Sequence, residues 1–175
     1  MRNLATQIKL LSQYNRRQTP IEWTDFFGVL SKKDDYHVAI SYTPDSYLQT
    51  LENEKFIQIS SNRRIGSYDF DDSSFVCLVQ ALSKFTFHVR DITWTSVAEE
   101  HLADLLDLDD PETALDFDMT MEIVQKNLSA ELQGIQALTL VDDSRERIEV
   151  TRYGVVNVRS TISPNIQNVI KRALL

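Results

Sequence analysis

One cysteine, four glycines and four prolines in 175 residues exclude several architectures at once. A lone Cys77 can close no internal disulfide and build no Cys-x-x-Cys site, so neither a disulfide scaffold nor a cysteine-built zinc site is available. Its neighbours Phe75, Val76, Leu78 and Val79 are all apolar, and core filling is the role expected of it. Phosphate cradles need clustered glycines so that backbone amides can approach the anion. Gly28, Gly66, Gly134 and Gly154 form neither Gly-x-Gly-x-x-Gly nor a Gly-Lys-Ser/Thr loop, which removes the Rossmann and phosphate-loop classes. The Gly-x-Ser-x-Gly elbow and the His-Glu-x-x-His helix are also missing; Glu100-His101 has no second histidine a turn later. Apolar runs such as Phe75–Val79 fall far short of the roughly 20 residues of a membrane-spanning helix. No cofactor and no membrane partner are expected. Met1–Leu11 places its apolar residues at helical spacing with no small-residue cleavage site after it, so the expectation is a cytoplasmic protein without a secretory leader.

The composition, 42% hydrophobic and 25% charged, is that of a globular chain. At this length folding removes roughly two-thirds of the unfolded surface, enough for a core without metal or disulfide. The expected class is α+β, as one domain over 1–175. The place for a subdivision is 107–118, which is acidic, contains Pro111 and lacks an apolar stripe; it would divide a helical pair plus sheet (1–106) from a helix, meander and helix (119–175).

All four prolines follow a helix-capping residue: Thr19-Pro20, Thr43-Pro44, Asp110-Pro111 and Ser163-Pro164. Proline suits the first helical position, where its missing N–H has no intrahelical acceptor, so four helix starts are predicted. Thr19 with Glu22, and Ser96 with Glu99, have capping-box spacing. Alternation predicts strands at Tyr36–Tyr42 and Phe85–Arg90, and Lys55–Ser61 with Arg64–Phe70 reads as a hairpin about Asn62-Arg63. Helices are predicted at Pro44–Asn53 and at Ser73–Lys84, the latter with Phe75, Leu78, Val79 and Leu82 on one face. The order over 36–90 then matches the split βαβ, ferredoxin-like plan. Acidic helices follow at Val97–Leu106, Pro111–Leu115 and Met121–Leu132. A meander of Ile135–Val141, Arg147–Arg152 and Val155–Ser160 comes next, and a helix from Pro164 closes the chain.

Charge is unevenly distributed along the chain. Met1–Asp34 carries +3 and Asp35–Arg90 carries −2; Asp91–Asp143 carries −13 and Ser144–Leu175 carries +4. Carboxylates cluster at Asp69, Asp71 and Asp72, and again at Asp104, Asp107, Asp109, Asp110, Glu112, Asp116 and Asp118. The loop glycine and closing glutamate of an EF-hand are missing, so no metal site is assigned. Asp71 and Asp110 are expected as helix caps instead. A nuclease site is disfavoured because Thr151 stands where a lysine should follow Glu149.

Three function classes follow. The first is a non-catalytic protein-interaction module in which Asp104, Asp107, Asp109 and Asp110 meet a basic surface on another protein, in the manner of an inhibitor, immunity-type protein, adaptor or chaperone. Self-association belongs to the same class, since arginine readily forks carboxylates. The second is a nucleic-acid-associated factor using Arg145, Arg147, Arg152, Arg159, Lys171 and Arg172, against which stand the acidic segment and poor aromatic interleaving. The third is a metal- or histidine-assisted hydrolase, which requires His37, His88 and Asp69 to converge. Tyr68 and Phe70 have the spacing of base-stacking aromatics but lack the basic-glycine start of that motif.

Overall fold

The computed structural model describes residues 6–82, 84–94, 134–159 and 161–175. The chain is mixed α and β, and the strand pairs with a defined register are antiparallel. It falls into two compact units: one made of residues 1–69 and 153–175, the other of 70–152.

In the first unit the organising strand is β1, Thr6–Gln13. One of its edges pairs with β3 (His37–Ser41), Ile8 opposite Ser41 and Ser12 opposite His37. The other edge is shared by β8 (Val155–Val158), which pairs with Thr6–Lys9, and β4 (Ile65–Ser67), which pairs with Leu11–Gln13. Between those two partners, the Leu10 N–H donates to the Gly154 carbonyl and the Leu10 carbonyl accepts from the Tyr68 N–H. The strand β2 (Val29–Asp34) adds outside β3 with two register shifts. Helices α1 (Pro44–Leu51) and α2 (Glu54–Arg63) connect β3 to β4. Leu11, Ile21, Trp23, Val38 and Ile40 form a buried cluster, against which Phe26, Phe27, Tyr47, Ile59 and Ile65 pack.

In the second unit α3 (Asp72–Leu82) precedes an antiparallel sheet of β5 (His88–Trp94), β6 (Ile135–Val141) and β7 (Arg147–Thr151), with β6 in the middle. Asp71 caps α3 as expected, its Oδ1 accepting from the Ser74 N–H at 2.7 Å. The closing helix α4 (Pro164–Val169) belongs to the first unit, is capped by Ser163 and continues as a π-helical turn to Leu174.

Several expectations are corrected. The ferredoxin-like order fails because Lys55–Ser61 is helical: the Asn53 side chain accepts from Lys55 N and Phe56 N, and Phe56 and Ile59, three apart, turn inward while Ile57 stays exposed. The strand β3 accordingly lies between β1 and β2, not between the strands at 64–70 and 85–90. The helical spacing of Met1–Leu11 gives way to a strand over 6–13, for Ile8 to Gln13 are all buried and a strand covered on both faces loses its alternation. Pro20 opens no helix. The Ile21 N–H is taken by Gln13 Oε1 at 3.2 Å, and only a 3-10 turn, Trp23–Asp25, follows. Cys77 is exposed, since it lies two residues from Phe75 and from Val79 and therefore opposite the buried stripe. The helices expected at 97–106, 111–115 and 121–132, the Ser96–Glu99 box and the 107–118 boundary lie outside the described residues.

Candidate functional site

The polar groups of the first unit gather where β1 leaves its sheet. Gln13 is fully buried, and its amide ties down the departing chain: Oε1 accepts from Ile21 N, and Nε2 donates to the Asn15 carbonyl at 3.2 Å. Residues 14–18 are thereby held beside the end of α2. The Tyr14 N–H donates to the Arg64 carbonyl at 3.1 Å, and Asn15 Nδ2 donates to the Asn62 carbonyl at 3.4 Å. Arg64 ends α2 in the left-handed region, φ 50°.

Tyr14 is 57% exposed, yet its ring is constrained. Its hydroxyl donates to the Ser67 carbonyl, and Gly66 lies against the ring, where a Cβ would stand 3.0 Å from Cε2. Burial of the phenol, with the charge of Asp69 and the neighbouring Tyr68, pushes the Tyr14 pKa upward.

The turn between β2 and β3 supplies the other side. Asp34 Oδ1 accepts from Tyr36 N at 2.7 Å, from His37 N at 3.0 Å and from His37 Nδ1 at 3.0 Å. Burial opposes ionisation of Asp34, but these bonds outweigh it and hold the carboxyl below its ordinary value. His37 Nε2 faces an Arg16 guanidinium nitrogen at 3.3 Å; arginine only donates, so Nε2 accepts and Nδ1 carries the hydrogen given to Asp34. Arg16 Cζ also lies 5.5 Å from the centroid of the Tyr36 ring, whose hydroxyl donates to the Arg16 carbonyl. The Tyr68 ring meets His37 edge-on at 5.6 Å. Asp35 pairs with Lys32 at 2.5 Å.

Lys9 is 6% exposed, and its ammonium donates to Ser67 Oγ and to the Tyr153 carbonyl, which also accepts from the Ser67 hydroxyl at 2.9 Å. Burial lowers the Lys9 pKa, with the charge of Asp69 acting in the opposite sense. These acceptors solvate a buried cation and fasten β4 to the turn before β8.

The hydrolase candidates divide between the units. His37 and Asp69 belong to the first, and both ring nitrogens of His37 are already engaged. His88 belongs to the second, with its side chain 58% exposed and Nε2 3.8 Å from Asp143 Oδ1. Among the described residues no group of three or more His, Cys, Asp and Glu could hold a metal ion.

The basic candidates divide as well. Arg159, Lys171 and Arg172 are exposed in the first unit. In the second, Arg145 sits in the turn after β6 at φ 63°, Arg147 donates to Thr139 Oγ1 at 3.4 Å, and Arg152 is bound to Asp72 at 2.9 Å and to the Phe70 carbonyl. Asp104, Asp107, Asp109 and Asp110 lie outside the described residues. The segments that form the first unit contain twelve lysines and arginines against eight carboxylates, net +4, whereas 70–152 contains six against eighteen, net −12.

The rim of Tyr14, Arg16, Arg17, Tyr36 and Arg64 escaped the reading of the sequence. Its only trace there is the run Tyr14-Asn15-Arg16-Arg17, unremarkable until β4 and the β2–β3 turn are set beside it. No described helix is long and apolar enough to cross a membrane. The chain matches no family model, no curated protein and no solved structure.

Proposed function

We propose that this protein is a non-catalytic interaction module of the cytoplasm, whose acidic stretch engages a basic surface on another protein, as an inhibitor, immunity-type protein, adaptor or chaperone would. The observation that carries the reading is the division of charge: net −12 over 70–152 against net +4 over the segments of the other unit. A one-signed region steers an oppositely charged partner and raises its association rate far more than it deepens the final affinity. In support, three titratable groups of the first unit, Lys9, Asp34 and His37, are each held by named partners within the fold.

The test uses the full chain, tagged, and the protein that copurifies with it. Replacing Asp104, Asp107, Asp109 and Asp110 with asparagine should slow association and flatten its dependence on salt, with a smaller effect on dissociation. Association at the original rate, with the original salt dependence, would overturn the proposal.

A further inference from the structure

We propose that the exposed rim formed by Tyr14, Arg16, Arg17 and Arg64 is a binding site for single-stranded nucleic acid, with Tyr14 stacking a base and the arginines contacting phosphates. Non-sequence-specific single-strand sites combine a cationic track with an aromatic face, since every base presents a π-surface and every linkage a charge. Both parts are present here within a few residues. Tyr14 is 57% exposed but fixed at two points, by its hydroxyl on the Ser67 carbonyl and by the ring's contact with Gly66. A ring already immobilised loses little rotamer entropy when a base lands on it, which separates a platform from a freely moving surface tyrosine.

Arg16, Arg17 and Arg64 are exposed; the Tyr14 N–H donates to the Arg64 carbonyl, the Tyr14 carbonyl accepts from the Arg16 N–H, and the Arg17 N–H donates to Asn15 Oδ1, so the backbones that carry the three arginines are tied to the segment that carries the ring. Arg16 is further oriented by His37 Nε2 and the Tyr36 ring. The carboxylates of the neighbouring turn are already engaged, Asp34 by Tyr36 and His37, Asp35 by Lys32. Asp69, whose charge acts on the Tyr14 hydroxyl, is a further nearby anion. The chain's net −8 does not forbid the site, because exposed charges beyond about 8 Å are largely screened at physiological salt. An acidic peptide would satisfy the arginines but make no particular use of a fixed, exposed aromatic face, so the nucleic acid is the better fit.

The probe is a 5′-labelled twelve-nucleotide oligouridylate, titrated with the full-length protein by fluorescence anisotropy across a salt series. Three phosphate contacts predict a log–log salt slope of about −2. Tyr14→Leu should weaken binding roughly tenfold and leave that slope unchanged. The pair Arg16→Gln and Arg17→Gln should reduce the slope by about 1.4. Arg64→Asn removes a charge at a left-handed position that asparagine tolerates, and should reduce it by about 0.7. Thermal melts matching the parent protein keep these changes separate from misfolding. Absence of binding at low salt overturns the proposal. So does binding indifferent to Tyr14→Leu, or an oligoglutamate of equal length that competes as well as unlabelled oligouridylate.

Discussion

Arg152 and Asp72, eighty residues apart in sequence, form an ion pair of 2.9 Å whose carboxylate side chain is only 7% exposed. Asp72 uses both oxygens, Oδ1 for Arg152 and Oδ2 for the Gly134 N–H at 3.2 Å, while Arg152 Nε also reaches the Phe70 carbonyl. The pair therefore joins the start of α3, the start of the segment leading into β6, and the end of β7 within the second unit. Removing Asp72 leaves the half-buried Arg152 guanidinium with only the Phe70 carbonyl as a named acceptor. Asp72→Ala is expected to cost about 1–3 kcal/mol in chemical denaturation, less than a fully buried pair because the guanidinium keeps some contact with water. A loss below about 1 kcal/mol, in the range of exposed pairs, would mean that water solvates the guanidinium there.

Gly154 is required by its geometry. Its φ is +66°, and a Cβ would stand 2.1 Å from the Tyr68 carbonyl oxygen. Gly154→Ala should destabilise by more than about 1 kcal/mol, because the backbone conformation and the contact both reject a side chain. Gly28, where an added methyl would meet nothing within 4 Å, is the control. Equal melting temperatures for the two variants would refute this account of the turn.

Asp71 governs part of the acid limb. The Ser74 hydroxyl and N–H, both at 2.7 Å, hold its carboxyl below the ordinary value. A carboxylate with a depressed folded pKa contributes stability that is present above the unfolded value and is lost as pH falls through the folded one. Asp71→Asn should therefore be closest to the parent protein at low pH and fall behind as pH rises past about 4. Urea midpoints between pH 2 and 6 read this directly; a constant gap across that range would contradict it.

Lys9 predicts the alkaline limb. Burial lowers its pKa in the fold, so between the folded value and the ordinary 10.5 the unfolded chain holds the extra proton, and stability rises with pH across that window. Tyr14 and Tyr47, pushed up by burial, act oppositely: their contribution is complete below about 10 and is lost at higher pH. The measurement is thus the difference between the parent protein and Lys9→Met. That difference should shift in favour of the parent as pH climbs from 8 to 11, and a flat difference would remove the buried-cation account.

Cys77 is exposed on α3 and should react with a soluble aromatic disulfide in the native protein, at one thiol per chain. A thiol that reacts only after denaturation would show that the helix phase is wrong.

The sequence by itself determined the α+β class, the stripe of Phe75, Leu78, Val79 and Leu82, the helix starts at Pro44 and Pro164, and the strands beginning at Ile135, Arg147 and Val155. In each, local propensity, capping and periodicity agree, so no distant residue is needed to choose. Tertiary structure decided the rest. Thr6–Gln13 is a strand because β3, β4 and β8 take up both of its edges, and Thr19-Pro20 heads no helix because Ile21 and Trp23, two apart, both enter the buried cluster while Glu22 between them is exposed, an alternation that suits extended chain. The rim beside Tyr14 exists only because β4 and the β2–β3 turn, separate in sequence, fold against one end of β1. Hydrogen bonds between residues far apart carry no periodic signature, and local pattern is silent wherever they outweigh it.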